Sequence, residues 1–228
     1  MEAIVLVGGL GTRLRTCIKD VPKPMALVKE KPFLNIVLSQ LRQSGFKKIV
    51  LAVGYKKEMI EDYYGIEFEG VPIIYSEESS PLLTGGAIKQ ASKLISAPCF
   101  FVLNGDTYNE LDYRKLLREH ISSGSDISIS LKHVQDTSRY GSVKIKENFR
   151  ITQFIEKGIS KSGFINSGVY CLSKKITKIL PDQPFSFEKF IQNNLSHIRL
   201  SGFPFEGIFI DIGIPEDYKL AQSIEFKS

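Results

Sequence analysis

Cysteine, histidine and long apolar runs are all scarce in this 228-residue chain, and each scarcity removes a class of protein. Cys17, Cys99 and Cys171 are an odd number with no C-x-x-C spacing, which indicates neither a disulfide framework nor a zinc site. Cys99 and Cys171 lie in apolar runs and read as small core residues. His120, His133 and His197 fall in no recognisable site and read as surface or internally satisfied groups. No apolar run approaches the roughly 18 residues that cross a bilayer. The start, Met1-Glu2-Ala3-Ile4-Val5-Leu6-Val7, has neither the basic flank nor the length of a signal peptide, so no membrane partner and a cytoplasmic location are expected. A dense Lys/Arg stripe interleaved with aromatics is also missing. The pairs Lys47-Lys48, Lys56-Lys57 and Lys174-Lys175 read as solvated element ends, and no nucleic acid is expected as partner. With no internal repeat and no Gly/Ser-rich linker, the length predicts a single domain over residues 1–228.

What is present is ordinary globular composition, 43% hydrophobic and 24% charged, enough for a normal core. Thirty Lys+Arg against 25 Asp+Glu leave a net charge of +5, which suits an anionic partner without requiring one. Apolar runs at residues 3–7, 48–53, 73–75 and 99–103 read as buried strands. Amphipathic stretches at 32–44, 57–64 and 85–94 read as the helices between them, an α/β layer pattern. Pro32 fits a first helical turn and Gly45 a left-handed end. Helices crossing between neighbouring strands imply parallel strands with ligands at their carboxyl ends, so the chemistry should cluster after Val7, Val53 and Leu103. Beyond a helix at 112–121, short runs at 126–131, 142–145, 150–156 and 164–172 predict an antiparallel portion. Helices at 176–180, 187–194 and 215–226 follow, with two short strands between 199 and 210. The run Phe203-Pro204-Phe205 with Phe209 reads first as core and second as the face of a homodimer.

The first strand is followed by Gly8-Gly9-Leu10-Gly11-Thr12-Arg13-Leu14 and then Pro22-Lys23-Pro24. Glycines let backbone N–H groups approach a polyphosphate closely, and Arg13 adds a forked cation. The run is not a Walker loop, because no Gly-Lys-Ser/Thr ends it, and Leu14 stands where G-x-G-x-x-G needs its third glycine. Lys23, between two φ-restricted prolines, is held to return to the same phosphates. Asn104-Gly105-Asp106 and Ile210-Asp211-Ile212-Gly213 each place a carboxylate after a short apolar run. Separately each is an ordinary turn. Converging, they form a Mg²⁺ arrangement, since magnesium keeps few protein ligands and takes the rest from phosphate and water.

These stretches, with Thr84-Gly85-Gly86-Ala87, Glu156-Lys157 and Asn166-Ser167-Gly168 in the same order, resemble the sugar-1-phosphate nucleotidyltransferase family over almost the whole chain. Lys31-Pro32-Phe33-Leu34 and Val53-Gly54-Tyr55 make it most similar to the family's heptose 1-phosphate guanylyltransferases, with the muramic acid 1-phosphate uridylyltransferases as near neighbours. One departure concerns the backbone near the base: the guanylyltransferase-like pattern has glycine before Thr84, and this chain has Leu83.

The resemblance implies a Rossmann-like three-layer α/β/α fold with a mixed, mainly parallel central sheet of the nucleotide-diphospho-sugar transferase type. Residues 1–110 would bind nucleotide and 111–228 the sugar phosphate. It implies attack of a sugar phosphate oxygen on the α-phosphorus of GTP or another nucleoside triphosphate, with pyrophosphate leaving and a GDP-sugar formed for surface polysaccharides such as capsule or lipopolysaccharide. Arg13, Lys23, Asp106 and Asp211 would be catalytic, the two aspartates holding Mg²⁺. Leu6, Gly8, Gly9, Leu10, Gly11, Thr12, Gly85, Gly86, Asn104 and Gly105 would join Arg13 and Lys23 around the nucleotide. Glu78 would accept guanine's N1–H and exocyclic amine, an edge uracil lacks. Gly141, Glu156, Lys157 and Asn166 would hold the sugar phosphate. Three alternatives stay open: a nucleotidyltransferase for another base or for mannose, N-acetylmuramic acid or glucose 1-phosphate; a glycosyltransferase; and a non-catalytic nucleotide-sugar sensor.

Overall fold

The computed structural model describes residues 1–9, 21–155 and 160–227. The expectations for Leu10, Gly11, Thr12, Arg13, Cys17, Glu156 and Lys157 lie outside the described residues.

The chain enters the sheet at β1 (Glu2–Leu6), and after Pro22 the two-residue strands β2 (Leu27–Val28) and β3 (Lys31–Pro32) form a hairpin before α1 (Phe33–Gln43). Pro32 lies just outside the helix rather than in its first turn, extended at φ −52°, ψ 138° because its carbon frame belongs to the hairpin ladder opposite Leu27. Gly45 adopts the expected left-handed φ of +87°. Strand β4 (Lys48–Val53), helix α2 (Lys57–Tyr64), the short β5 (Glu67–Phe68), β6 (Val71–Glu77) and helix α3 (Leu83–Ser92) follow. Next come β7 (Cys99–Asn104), β8 (Thr107–Asn109) and α4 (Tyr113–Ser123), whose N-cap Asp112 accepts from the Lys115 amide.

The second half supplies β9 (Ile127–Val134), β10 (Ser142–Ile145), β11 (Ile151–Ile155) and the long β12 (Gly163–Ser173). Then come a 3₁₀ run at Lys174–Ile179 where an α-helix was expected, α5 (Phe187–Asn193), β13 (Leu200–Phe205), β14 (Phe209–Asp211) and α6 (Pro215–Ser223). Lys174 is not a solvated end, since its ammonium donates to the Ile95 carbonyl.

The main sheet runs β11-β10-β12-β7-β1-β4-β6-β5, with β9 and then β13 built onto β12. It is parallel through its centre, β7-β1-β4-β6, and antiparallel where β12 meets β7, β9 and β10. Successive side chains alternate between faces. Ala3, Val5, Leu51 and Phe101 pack with α1 and α4, while Ile4, Val50, Ala52 and Phe100 pack with α3 and α5. Helices therefore cover both faces, a three-layer α/β/α fold. Phe203 is buried in that core, and Phe209 packs edge-on to Tyr140 at 5.6 Å, so the aromatic run faces inward. No helix among the described residues is long and apolar enough to cross a membrane.

Placement of the site follows from strand order. The chain passes from β1 to β4 and β6 on one side, then returns to lay β7 on the other side of β1. The crevice at that switch point lies beyond the carboxyl ends of these strands.

Candidate active site

A cleft of about 660 Å³ opens there. Its floor is the end of β1: Leu6, Val7, Gly8 and Gly9. The backbones around it are too close for side chains. A Cβ on Gly8 would lie 3.0 Å from Glu78 Oε1 and 3.1 Å from the Gly54 amide nitrogen, and one on Gly105 would lie 2.6 Å from Val7 Cγ1. The Gly105 amide donates to the Leu6 carbonyl at 2.9 Å, stitching the end of β7 to the end of β1. Gly105 thus acts behind the floor, whereas Asn104 and Asp106 line the cleft.

At one end of the cleft three groups distant in sequence converge. Lys23 sits in a 3₁₀ turn between Pro22 and Pro24, closed by the Met25 amide on the Pro22 carbonyl at 2.8 Å. Its ammonium binds the Asp106 carboxylate and Asp211 Oδ1, the latter at 3.3 Å. The two aspartates are neighbours because β8 and β14 pair antiparallel, with Asp211 opposite Thr107. Thr107 Oγ1 donates to Asp106 Oδ1 at 3.1 Å, and the Gly213 amide donates to Asp211 Oδ1 at 2.8 Å. Any Cβ at Gly213 would stand 2.8 Å from both Lys23 Nζ and Asp211 Oδ1, so the glycine keeps this corner open.

Among the described residues no group of three or more His, Cys, Asp and Glu gathers as a metal cage. What the corner offers is two carboxylates within reach of one cation. An oxygen-only donor set with glycine clearance fits a hard divalent ion that completes its shell with phosphate and water.

The opposite wall carries Tyr55 after β4, then Glu78, Ser79, Ser80 and Pro81 after β6. Burial raises the Glu78 carboxyl above the usual range, partly offset by the Leu82 amide, which donates to Oε2 at 2.9 Å. One oxygen of Glu78 is thereby committed to the loop, and Oε1 stands over Gly8. The wall ends in Leu83, Thr84 and Ala87 at the start of α3. Gly85 and Gly86 are buried behind it: the Gly85 amide donates to the Phe185 carbonyl at 2.9 Å, and a Cβ there would lie 2.2 Å from the Phe185 ring. They serve close packing, with Leu83 and Thr84 in front. Leu83 keeps a left-handed φ of +61°, a conformation that costs a branched L-residue on the order of 1–2 kcal/mol.

Neither Gly141 nor Asn166 lines this cleft. Gly141 has φ +72° and donates to the Thr137 carbonyl at 2.9 Å. Asn166 sits at the β12 irregularity facing β9, its Nδ2 donating to the Tyr170 hydroxyl at 2.7 Å and its Oδ1 accepting from the Gly168 amide at 3.0 Å. Gly168, at φ +83°, lies against the Asn104 side chain, so the Asn166 turn abuts the cleft through Asn104.

Sequence reasoning passed over Tyr55, Ser79, Ser80, Pro81, Thr84 and Ala87 as contact residues. Tyr55 follows Val53, where the carboxyl-end rule already pointed. The stretch 79–81 follows β6 in the same way, but its polar, turn-like composition reads as an ordinary loop.

The sequence profile of the nucleotidyl transferase family matches residues 2–226. The D-glycero-alpha-D-manno-heptose 1-phosphate guanylyltransferase of Campylobacter jejuni is 45% identical over 219 residues, covering 96% of this chain and 97% of its own. The enzyme of the same name from Aneurinibacillus thermoaerophilus is 43% identical, covering 97% of each. The crystal structure of HddC from Yersinia pseudotuberculosis superposes with a TM-score of 0.87 at 43% identity over 97% of both chains. A second HddC structure, complexed with GMP-PN, gives 0.85 at 42% identity.

Proposed function

The chain belongs to the nucleotidyl transferase family, and we propose that it is the guanylyltransferase that joins D-glycero-α-D-manno-heptose 1-phosphate to GTP, giving the GDP-heptose and pyrophosphate. The observation that carries this reading is Lys23 held between Asp106 and Asp211 at the switch-point cleft, in a chain that matches heptose 1-phosphate guanylyltransferases end to end.

In the reaction a phosphate oxygen of the sugar 1-phosphate attacks the α-phosphorus, and the bond to the pyrophosphate oxygen breaks. The nucleophile is already anionic at neutral pH, so no side chain has to remove a proton; positioning and charge neutralisation are what the protein supplies. Lys23 neutralises the α-phosphate oxygens as they gain charge, and Arg13 the leaving phosphates. Losing a preorganised cation of this kind costs about 3–4 kcal/mol of transition-state stabilisation. Asp106 and Asp211 would hold Mg²⁺, which when bound would supply further positive charge to the reacting phosphates. Glu78 offers Oε1 to the guanine edge while Oε2 stays on Leu82. In this proposal residues 1–110 carry the nucleotide and 111–228 the acceptor, with Glu156 accepting sugar hydroxyls, Lys157 pairing with the sugar phosphate, and Gly141 and Asn166 completing the acceptor side.

Pyrophosphate release, measured for four nucleoside triphosphates against a panel of sugar 1-phosphates, tests the proposal. The fastest turnover is expected for GTP with the heptose 1-phosphate. A maximum with UTP, or with another sugar, would reassign the substrate. Silence across the panel, with tight nucleotide-sugar binding, would make the protein a sensor.

A further inference from the structure

The left-handed backbone at Leu83 is unlike the others of its kind in this chain. Lys29, Glu30 and Glu69 take positive φ in hairpin turns, Asn148 and Phe149 in a 3₁₀ turn, and Lys56 caps α2. Leu83 opens a helix, and among the described residues it is the one non-glycine residue lining the cleft that has positive φ. Strain of this kind persists where the surroundings over-determine it. Here they do. The Leu82 carbonyl accepts from the Phe185 amide at 3.2 Å, the Gly85 amide donates to the Phe185 carbonyl at 2.9 Å, and Thr84 Oγ1 accepts from the Phe187 amide at 2.9 Å while donating to Glu188 at 3.0 Å. Leu83 is bracketed by bonded neighbours and cannot relax without breaking them.

The side chain held this way is not hidden. Leu83 is 58% exposed although it is large and apolar, and it lies on the same wall as Glu78 and Pro81. The geometry points to Leu83 as a specificity-determining residue that packs against the face of the nucleobase, so that Glu78 reads the base edge and Leu83 the size of the ring. An apolar contact on a ring face grows with ring area, which favours purines over pyrimidines. This assignment rests on the guanylyltransferase reading and adds to it a division of labour between two wall residues.

Calorimetric titration of the full chain with Mg²⁺ and GTP, ATP or UTP, without acceptor, tests it in three variants. Leu83→Ala is expected to weaken GTP and ATP about tenfold and UTP less than threefold. Leu83→Gly should weaken purines equally while melting at a higher temperature than Leu83→Ala, because glycine accepts positive φ freely. Glu78→Gln should instead change GTP relative to ATP. Unchanged purine affinity in both Leu83 variants, tighter GTP binding in Leu83→Gly, or equal losses for GTP and UTP would each overturn the assignment. A wild-type chain that binds purine triphosphates yet releases no pyrophosphate from GTP would defeat the functional reading and leave the assignment of Leu83 standing.

Discussion

Lys23 meets two carboxylates, and that ratio sets what each partner does. With Asp106 and Asp211 both on one ammonium, the corner retains a net negative charge, which is what attracts a divalent ion carrying a triphosphate. Asp106→Asn removes one unit of that charge and keeps the size of the side chain. Turnover is expected to fall by two to three orders of magnitude, roughly the 3–4 kcal/mol associated with a preorganised charge. The melting temperature should change little, because Lys23 keeps its pairing with Asp211 and the asparagine oxygen can still accept from the ammonium. Steady-state pyrophosphate release and a thermal melt on the same preparation check both statements. Retained turnover would remove Asp106 from the reaction. Three residues of this corner were legible as residue types in sequence. That Lys23 touches both aspartates was not, since 83 and 188 positions separate the partners.

Among the elements, α4 is fastened to the sheet by a polar rivet that the sequence disguises. His120 is buried on α4, its Nδ1 bonded to Ser128 of β9 at 2.8 Å and its Nε2 to Ser173 at the end of β12 at 3.1 Å. Ser128 also meets Ser201 of β13 at 2.8 Å. Burial depresses the imidazole from 6.5 to about 4, against the pull of Asp126. The folded state therefore holds His120 neutral, while the unfolded chain takes up a proton below about pH 6.5. The stabilisation is complete above that pH and is lost as pH falls towards 4, by about 3 kcal/mol in all at 1.36 kcal/mol per unit. Urea denaturation at pH 7.5 and 5 is expected to show about 2 kcal/mol of this loss, at 1.36 kcal/mol per unit below 6.5, and His120→Asn should flatten it. A pH slope equal in the variant and the wild type would mean that other groups carry it. In sequence, the run at 126–131 reads only as a short strand of an antiparallel portion. In the fold, Ser128 bonds His120 of α4 and Ser201 of β13, and Ser130 bonds Ser167 and the Val169 carbonyl of β12.

For the molecule as a whole, the cleft joins distant parts of the chain: the ends of β1, β4, β6 and β7 supply most of it, and Gly213 beyond β14 completes it. A nucleotide spanning this crevice binds the folded chain only, so it should raise stability by linkage. At a hundred times its dissociation constant, Mg²⁺-GTP should add about 2.7 kcal/mol, some 5–10 °C for a chain of this length. Scanning fluorimetry checks it, and a larger rise with UTP than with GTP would contradict guanine selection. Sequence alone determined the order of the main strands and helices, the α/β layer class and the chemical types at the site, because strand and helix periods, glycine runs and charged residues after apolar strands are local patterns. Tertiary structure decided which of those residues meet. The β8–β14 ladder brings Asp211 to Asp106, Phe185 packs on Gly85 behind the wall, and the clamp from residues 185–188 turns Leu83 into the cleft. Each is a contact between segments remote in sequence, made by strand pairing and close packing that no local pattern encodes.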